Sequence, residues 1–304
     1  MTSTRTDARP AGLPDDLTDR ILRAGLDPVE LTGLVAASLE EDLGSAAIDV
    51  TTLATVDAGR RDVGDLVARE PGVVAGLIVA EVVFALVGRG ALRTDGPGRE
   101  GHRVEPDTVA LTVEGPTRGL LTAERVALNF ARHLSGVATL TRRFVDAVAG
   151  TGATILDTRK TTPLMRSLEK YAVRCGGGSN HRMSLGDRAL VKDNHIVAAG
   201  GIAAAYGRVR ALAGELPVEI EVTDLAGARI AVEAGATRLL LDNLGPDRLR
   251  ECVAEFGGRV VLEASGGITL GTVRAVAETG VDLISVGALT HSAPNLDLAL
   301  DLRS

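Results

Sequence analysis

The chain has 304 residues, 45% hydrophobic and 24% charged, a composition typical of a soluble globular protein of about two domains. Aromatic residues make up only 2% and tryptophan is absent, which argues against the stacking surfaces that bind single-stranded nucleic acids. The net charge of −7 argues against general attraction to nucleic acids or anionic membranes, and two cysteines are too few for a disulfide framework or a zinc site.

The N-terminal stretch MTSTRTDARPAGLPDD has no apolar signal core, so we expect residues 1–27 to form a loose tail and the protein to be cytoplasmic. DPVELTGLVAASLEEDLG, which follows, shows apolar residues at helical spacing. The apolar run 72–88 is shorter than the roughly 20 residues that span a bilayer, and it contains Glu81. We therefore predict a buried strand leading into a core helix.

Residues 28–148 are predicted to form an α+β sandwich domain. DLVAREPGVVAGL and DTVALTVEG are strand-like and punctuated by glycine and proline, whereas 120–148 has a long helical pattern. That pattern is compatible with two helices meeting near Ser135 and Gly136.

After Gly150, apolar strand candidates alternate with amphipathic helix candidates. The predicted strands are residues 154–158, 188–193, 218–223, 238–243, 259–265 and 283–289. Such alternation indicates parallel strands with right-handed crossovers. We predict that residues 149–290 form an irregular six-stranded parallel α/β barrel, with a doubly wound open sheet as the alternative, and that residues 291–304 pack back on the N-terminal domain.

Polar groups follow the end of each predicted strand, and in parallel barrels these ends lie on one functional face. They are Asp157 to Lys160, Lys192 and Asp193, Glu221, Asp242, Ser265 to Gly267, and Gly287. Glu219 and Glu221 lie two residues apart, so their side chains share one face of the strand. A carboxylate that faces the barrel interior needs a cationic partner, a metal or a cationic transition state. For Glu219, an internal salt bridge to a barrel arginine is the alternative to a functional role.

Residues 157–192 are strongly basic, with eight Lys or Arg against three Asp or Glu. The only lysines of the chain, Lys160, Lys170 and Lys192, all lie here. Lysine offers a point charge suited to phosphate, and arginine a planar fork suited to carboxylates. The segment therefore predicts a ligand with several anionic groups, or otherwise a basic surface patch.

Two glycine-containing loops are candidate phosphate sites. ASGGIT, residues 264–269, separates a strand from a helix candidate, so backbone N–H groups and a helix N-terminus could bind phosphate. VGALTH, residues 286–291, follows the last predicted strand. Neither a P-loop nor a dinucleotide-binding glycine motif is present.

Together these motifs resemble the quinolinate phosphoribosyltransferase family. The similar segments are ERVALNFARHLSGVAT, DTRKTTP, LEKYAVRCGGGSNHR, LVKDNHI, EIEV, LLDN and EASGGI, in family order. The resemblance implies transfer of a phosphoribosyl group from phosphoribosyl pyrophosphate to quinolinate with loss of carbon dioxide, giving nicotinate mononucleotide and pyrophosphate in de novo NAD synthesis.

The resemblance also implies the roles of individual residues. Those expected to bind the pyridine carboxylates are Arg125, Arg159, His181, Arg182 and Lys192, with Thr158 as a further substrate-binding residue. Those expected at the pyrophosphate are Lys160, Lys192 and His291, and those at the 5-phosphate are Ser265, Gly266, Gly267, Gly287 and Ala288. Glu221 and Asp242 would lie near the ribose and Mg²⁺, the metal being held through water. Arg125 would reach the active site of a second subunit, which implies a homodimer.

The sequence departs from the family pattern at two places. Leu164-Met165 stands where the family usually has Gly-Leu, and Ser184 stands where glycine is usual. Two alternative functions remain: a sister phosphoribosyltransferase acting on nicotinate or a related pyridine, and a non-catalytic phosphate-binding barrel.

Overall fold

The computed structural model describes residue 10, residues 12–96 and residues 100–303, which divide into two compact units. The first unit contains the chain up to Thr139, together with Ser167–Gly176 and the residues from Ala293 onward. The second contains Leu140–Arg166 and Gly177–Ser292. The prediction placed residues 167–176 in the barrel segment, whereas here they pack with the N-terminal residues.

The first unit combines helices with an antiparallel sheet. Its helices are α1 (Asp15–Arg23), α2 (Pro28–Leu43), α3 (Val50–Thr55), α4 (Leu77–Gly88), most of α5 (Thr117–Ala147) and nearly all of α6 (Arg166–Cys175). Its strands are β1 (Arg61–Ala68), β2 (Gly72–Val73), β3 (Arg93–Asp95), β4 (Arg103–Val104), β5 (Val109–Pro116) and β12 (Leu298–Leu302). The main sheet has the order β12-β1-β5-β3, so the C-terminal strand pairs with β1.

The N-terminal prediction needs one correction. Residues 1–9 and 11 of the expected loose tail lie outside the described residues, but residues 15–23 form helix α1, which buries Leu17 and Ile21. Acidic residues in the first turn and basic residues in the last turn interact favourably with the helix dipole. This charge pattern is present in the sequence, but the polar composition of the segment led to the prediction of a loose tail.

Helices α2 and α4 form as predicted. The Asp27 side chain accepts hydrogen bonds from the N–H groups of Val29 and Glu30 and so caps α2. The apolar run 72–88 forms β2 followed by the buried helix α4, which confirms its interpretation as core. Glu81 is tolerated inside this helix because it pairs with Arg20 and accepts a hydrogen bond from Thr94.

Among the described residues no single helix is long and apolar enough to cross a membrane. One bent pair of helices, 193–199 with 202–213, could do so by length and composition alone.

Helix α5 is continuous, so the possible break at Ser135 and Gly136 is wrong. These two residues instead allow close packing within the first unit. The Ser135 hydroxyl binds both the N–H and the C=O of Ala75, each at 3.0 Å. A Cβ atom on Gly136 would lie 2.0 Å from the carbonyl oxygen of Pro294, so glycine is required there.

The second unit is built on six parallel strands. They are β6 (Thr154–Leu156), β7 (Ala189–Val191), β8 (Val218–Val222), β9 (Arg238–Asp242), β10 (Val261–Ser265) and β11 (Leu283–Ser285). The helices that alternate with them are α7 (Asp193–Ala199), α8 (Ile202–Ala213), α9 (Leu225–Glu233), α10 (Pro246–Phe256), α11 (Val273–Ala277) and α12 (Ala288–His291).

The strand order β6-β11-β10-β9-β8-β7 identifies an α/β barrel. Each strand from β7 to β11 pairs with the next one in the chain, and the last strand, β11, pairs with the first, β6. In a doubly wound sheet the strand order would instead reverse at a switch point. In the described part of the chain no ladder joins β6 to β7, so the barrel is open there. A single bridge between Leu156 and Ser179 partly occupies this gap. The predicted irregular six-stranded barrel is confirmed.

The core consists mainly of alanine, valine, leucine and isoleucine, as the composition requires. All four phenylalanines and both tyrosines are also buried. The scarce aromatic residues therefore serve packing.

Candidate active site

The parallel strands bring most of the predicted site residues to one edge of the barrel. All of them except Arg125 belong to the second unit: Thr158, Arg159, Lys160, His181, Arg182, Lys192, Glu221, Asp242, Ser265, Gly266, Gly267, Gly287, Ala288 and His291. Arg125 lies exposed on α5 in the first unit.

Two carboxylates and an ammonium group lie at the ends of β7, β8 and β9. Lys192 Nζ is 3.7 Å from Glu221 Oε2. Burial raises the pKa of Glu221; Lys192 opposes this shift and the charge of Asp242 adds to it. Two oxygen-donor carboxylates in mutual repulsion are the hard ligands that Mg²⁺ uses together with water, so Glu221 and Asp242 fit a water-mediated magnesium site.

Arg159 and Arg182 form the basic part of the site. Arg182 is buried and its Nη1 donates to the Arg188 carbonyl oxygen at 3.0 Å. Burial, followed by the charge of Arg159, lowers the pKa of the Arg182 guanidinium. Arg159 Nε is also buried, and among the described residues it has no hydrogen-bond acceptor. An incoming anion would stabilise both guanidinium groups, because it would pair with the buried Arg182 and offer an acceptor to Arg159 Nε.

Lys160 is close to the loop after β11. A Cβ atom on Gly287 would lie 3.1 Å from His291 Nε2 and 3.4 Å from Lys160 Cδ, which places these two side chains beside the same glycine. The Thr290 hydroxyl donates to the Lys160 carbonyl oxygen at 2.7 Å and joins the two loops. Lys160 itself is exposed and follows a turn in which its N–H donates to Thr158 Oγ1 at 3.0 Å.

The loop Ser265 to Gly267 follows β10, and Ser265 is paired in register with Asp242 on β9. The expected helix N-terminus at this loop is wrong, because α11 begins only at Val273 and has five residues. A phosphate here would have to be bound by loop N–H groups and the Ser265 hydroxyl rather than by a helix dipole.

His181 lies among buried carboxyl groups inside the barrel. Its Nδ1 accepts the Arg182 N–H at 2.7 Å, so a neutral ring carries its proton on Nε2, which is 3.3 Å from Glu219 and 3.5 Å from Glu263. Arg188 and Arg238 also lie within 4 Å of Glu219. The internal salt bridge considered for Glu219 is therefore present.

Ligand atoms of His181, Glu219 and Glu263 lie within 4.8 Å of one another, a spacing that could hold a metal ion. The two arginines already supply positive charge to Glu219, and the His181 ring is oriented as a hydrogen-bond donor. Burial, followed by the charge of Glu219, raises the pKa of Glu263 to about 8. His181, Arg238 and Arg188 outweigh the burial of Glu219 and lower its pKa. At neutral pH the pair thus holds one proton, and we assign it no metal.

Two residues connect the functional loops, a role that sequence reasoning did not assign to either of them. Asp157 is fully buried, and its carboxylate accepts hydrogen bonds from the His181 N–H at 2.9 Å and the Asn180 side chain at 2.6 Å. Arg166 donates to Thr161 Oγ1 and to the Met183 carbonyl oxygen, each at 3.1 Å. One indication for Asp157 is present in the sequence, because a charged residue stands inside the DTRK motif directly after an apolar strand. No such indication exists for Arg166, whose partners are defined only by tertiary contacts.

Two other basic residues have structural positions. His195 Nδ1 accepts the Lys192 N–H at 2.9 Å, so His195 organises the start of α7. Lys170 is fully buried in the first unit. Of the three lysines in the basic segment, Lys170 therefore does not belong to the strand-end surface that carries Lys160 and Lys192.

The structure thus defines a class: an open α/β barrel whose strand ends combine a basic cluster with two carboxylates. Comparison with known families makes this specific. The models for the C-terminal and N-terminal domains of quinolinate phosphoribosyl transferase match residues 137–301 and 49–135. The chain belongs to the quinolinate phosphoribosyltransferase family.

Individual relatives agree with this assignment. A nicotinate-nucleotide pyrophosphorylase [carboxylating] from Mycobacterium leprae is 47% identical over 276 residues, covering 88% of this chain and 95% of that protein. Quinolinate phosphoribosyltransferase [decarboxylating] 1b from Nicotiana tabacum is 38% identical, covering 90% of this chain and 82% of that protein. The solved structure of the Francisella tularensis nicotinate-nucleotide pyrophosphorylase has a TM-score of 0.86 and 37% identity, covering 90% of this chain and 96% of that one.

Proposed function

We propose that this protein transfers the 5-phosphoribosyl group of phosphoribosyl pyrophosphate to the ring nitrogen of quinolinate, with loss of carbon dioxide. The products are nicotinate mononucleotide and pyrophosphate, in de novo NAD biosynthesis. The observation that supports this proposal is that Arg159, Lys192, Glu221 and Asp242 all lie at or just beyond the carboxyl ends of strands in one parallel sheet. Arg159 influences the neighbouring Arg182, and Lys192 pairs with Glu221. Family membership supplies the identity of the two anionic substrates.

Quinolinate has two adjacent carboxylates, which match two neighbouring guanidinium groups. Arg159 and Arg182 bind them with Lys192, and Arg125 of a second subunit completes the subsite. Both ring nitrogens of His181 already have protein partners, so His181 contributes chiefly by fixing the backbone of Arg182. Burial and then the charge of Arg159 lower the pKa of Arg182, and binding of the dianion offsets both effects.

The second substrate lies along the other strand ends. Thr158, Lys160, Lys192 and His291 bind the pyrophosphate, and the loops 265–267 and 287–288 bind the 5-phosphate. Glu221 and Asp242 face the ribose and hold Mg²⁺ through water. When bound, Mg²⁺ offsets part of the negative charge of the diphosphate.

The chemistry needs no covalent intermediate with the protein. As the C1′–oxygen bond to pyrophosphate breaks, positive charge develops on the ribose and is stabilised by the Glu221 and Asp242 carboxylates. The ring nitrogen then forms the new bond to C1′. Loss of the 2-carboxylate leaves an electron pair on the ring carbon beside the positively charged nitrogen, and this carbon takes a proton from solvent.

We further propose a cytoplasmic homodimer. Cys175 and Cys252 are both free thiols, which suits a reducing compartment. Arg125 is exposed on α5 and available to a second copy. Analytical ultracentrifugation of the wild-type protein and of an R125A variant tests whether a dimer forms. Activity is then measured on mixtures of R125A and K160A. Activity that is regained on mixing supports active sites shared between two subunits.

The reaction is tested by incubating purified protein with quinolinate, phosphoribosyl pyrophosphate and Mg²⁺. Equal amounts of nicotinate mononucleotide and carbon dioxide are expected, whereas turnover of nicotinate in place of quinolinate would overturn the substrate assignment. The K160A variant should lose at least about a hundredfold in kcat because charge on the leaving group is no longer offset. R250A, which removes an exposed arginine that pairs with Asp247, is the control and should retain wild-type activity.

A further inference from the structure

Asn243, which no predicted role included, lies between two parts of the proposed phosphoribosyl site. It follows Asp242 at the end of β9, and its φ angle of 56° places it in the left-handed region. Asparagine is among the few residues other than glycine that adopt this conformation at modest cost. The conformation turns the chain sharply just after the Asp242 carboxylate.

The Asn243 side chain contacts that carboxylate directly. Its Nδ2 donates a hydrogen bond to Asp242 Oδ2 at 2.6 Å. A donor to a carboxylate oxygen restricts the direction in which that group points. Asp242 therefore has a fixed orientation toward the ribose and magnesium position proposed above.

The backbone of Asn243 contacts the neighbouring strand end. Its N–H donates to the Ser265 carbonyl oxygen at 2.8 Å, immediately before the two glycines of the proposed 5-phosphate loop. A Cβ atom on Gly266 would lie 2.3 Å from Asn243 Oδ1 and 2.9 Å from Asn243 N. Gly266 has a φ angle of 95°, so this loop bends against Asn243 in a conformation open only to glycine.

We infer that Asn243 is a positioning residue that holds the Asp242 carboxylate and the 265–267 loop in one arrangement, so that the ribose and the 5-phosphate of phosphoribosyl pyrophosphate are bound together. This inference rests on the proposed function. Asn243 itself acts through its neighbours, and the quinolinate subsite around Arg159 and Arg182 does not depend on it.

Two variants separate the amide from the backbone conformation. N243G keeps the left-handed turn and removes the side chain. N243D keeps the shape and tolerates the turn, but it replaces the amide donor with a second carboxylate beside Asp242. If Asn243 served only to form the turn, both variants would behave like the wild type.

The test measures steady-state kinetics for both substrates, calorimetric binding of phosphoribosyl pyrophosphate with and without Mg²⁺, and thermal unfolding. We expect Kd and KM for phosphoribosyl pyrophosphate to rise at least about tenfold in N243D and about fivefold in N243G, because a hydrogen bond to a charged group is lost. KM for quinolinate should stay within about twofold of the wild-type value. The magnesium dependence of binding should weaken more in N243G than in N243D, because the added carboxylate attracts the cation even when misplaced.

Unchanged binding of phosphoribosyl pyrophosphate in both variants would overturn the inference, as would an equal loss of affinity for both substrates. If N243G fails to fold, N243D alone decides, since it retains the backbone and the side-chain volume. The wild-type protein is measured first: if it neither binds nor converts phosphoribosyl pyrophosphate, the proposed function fails. If the wild-type protein binds and converts phosphoribosyl pyrophosphate, and both variants bind it equally well, only the role of Asn243 is refuted.

Discussion

Leu164 provides the sharpest test of how this chain differs from its family. It occupies the position where the family usually has glycine, and its φ angle of 65° explains that preference. The side chain is 86% exposed, so replacing it removes almost no buried apolar surface. We predict that L164G is more stable than the wild-type protein.

The magnitude follows from two opposing effects. A left-handed conformation costs a residue with a Cβ atom about 1–2 kcal/mol, and glycine avoids this cost. Glycine in turn loses about 0.5–1 kcal/mol through the greater freedom of the unfolded chain. The difference lies between about 0 and 1.5 kcal/mol, with a central value of about 0.8 kcal/mol in favour of glycine. In a chain of this size such a gain raises the unfolding midpoint by about 1 °C.

Thermal and urea unfolding of three proteins measure this effect. L164A is the matched control, because it removes the exposed isopropyl group beyond Cβ but keeps the Cβ atom responsible for the strain. The wild type and L164A should unfold alike, and L164G should unfold at higher temperature and urea concentration. If L164G is no more stable than L164A, the strain argument is refuted.

Three further predictions concern buried groups. G136A should destabilise the first unit by about 1–3 kcal/mol or more, because the new methyl group meets the Pro294 carbonyl oxygen 2.0 Å away; urea unfolding would show it, and wild-type stability would contradict the close approach. Glu263 is protonated in the folded protein up to about pH 8, and since the unfolded chain ionises at lower pH, this group makes stability fall as pH rises between about 4.5 and 8. E263Q should therefore show a flatter pH–stability curve over that range, measured by denaturation at a series of pH values; an unchanged slope would reject the shift. E100A should cost about 1–3 kcal/mol, because it leaves two N–H groups at the start of α4 without the carboxylate that accepts them at 2.8 Å; E100Q, which keeps one acceptor, should cost less, and equal losses would contradict this explanation.

The strands of the barrel could be predicted because each is a short apolar run that ends in a polar group. Thr154–Leu156 before Asp157 and Val218–Val222 around Glu221 show this pattern, and the structure places both in the parallel sheet. The pattern arises because a buried parallel strand is apolar throughout and becomes polar only where it leaves the core.

Other features depend on contacts that local sequence does not contain. Ser135-Gly136 has the composition of a helix break, yet it marks close approaches to Ala75 and Pro294, residues distant in the chain. Lys170 lies in the same basic segment of the sequence as Lys160 and Lys192, but it is buried in the first unit. The bracing contacts of Arg166 and Asn243 likewise join loops that are separate in sequence, so they became visible only in the folded chain.

The central claim is that one basic, carboxylate-containing edge of the barrel binds both a pyridine diacid and a sugar diphosphate. A crystal structure of the protein with quinolinate and a non-reactive analogue of phosphoribosyl pyrophosphate tests this most directly. We predict the diacid against Arg159 and Arg182, and the sugar between Glu221, Asp242 and the loop 265–267. Quinolinate bound elsewhere, with Arg159 and Arg182 making no contact to it, would contradict the account.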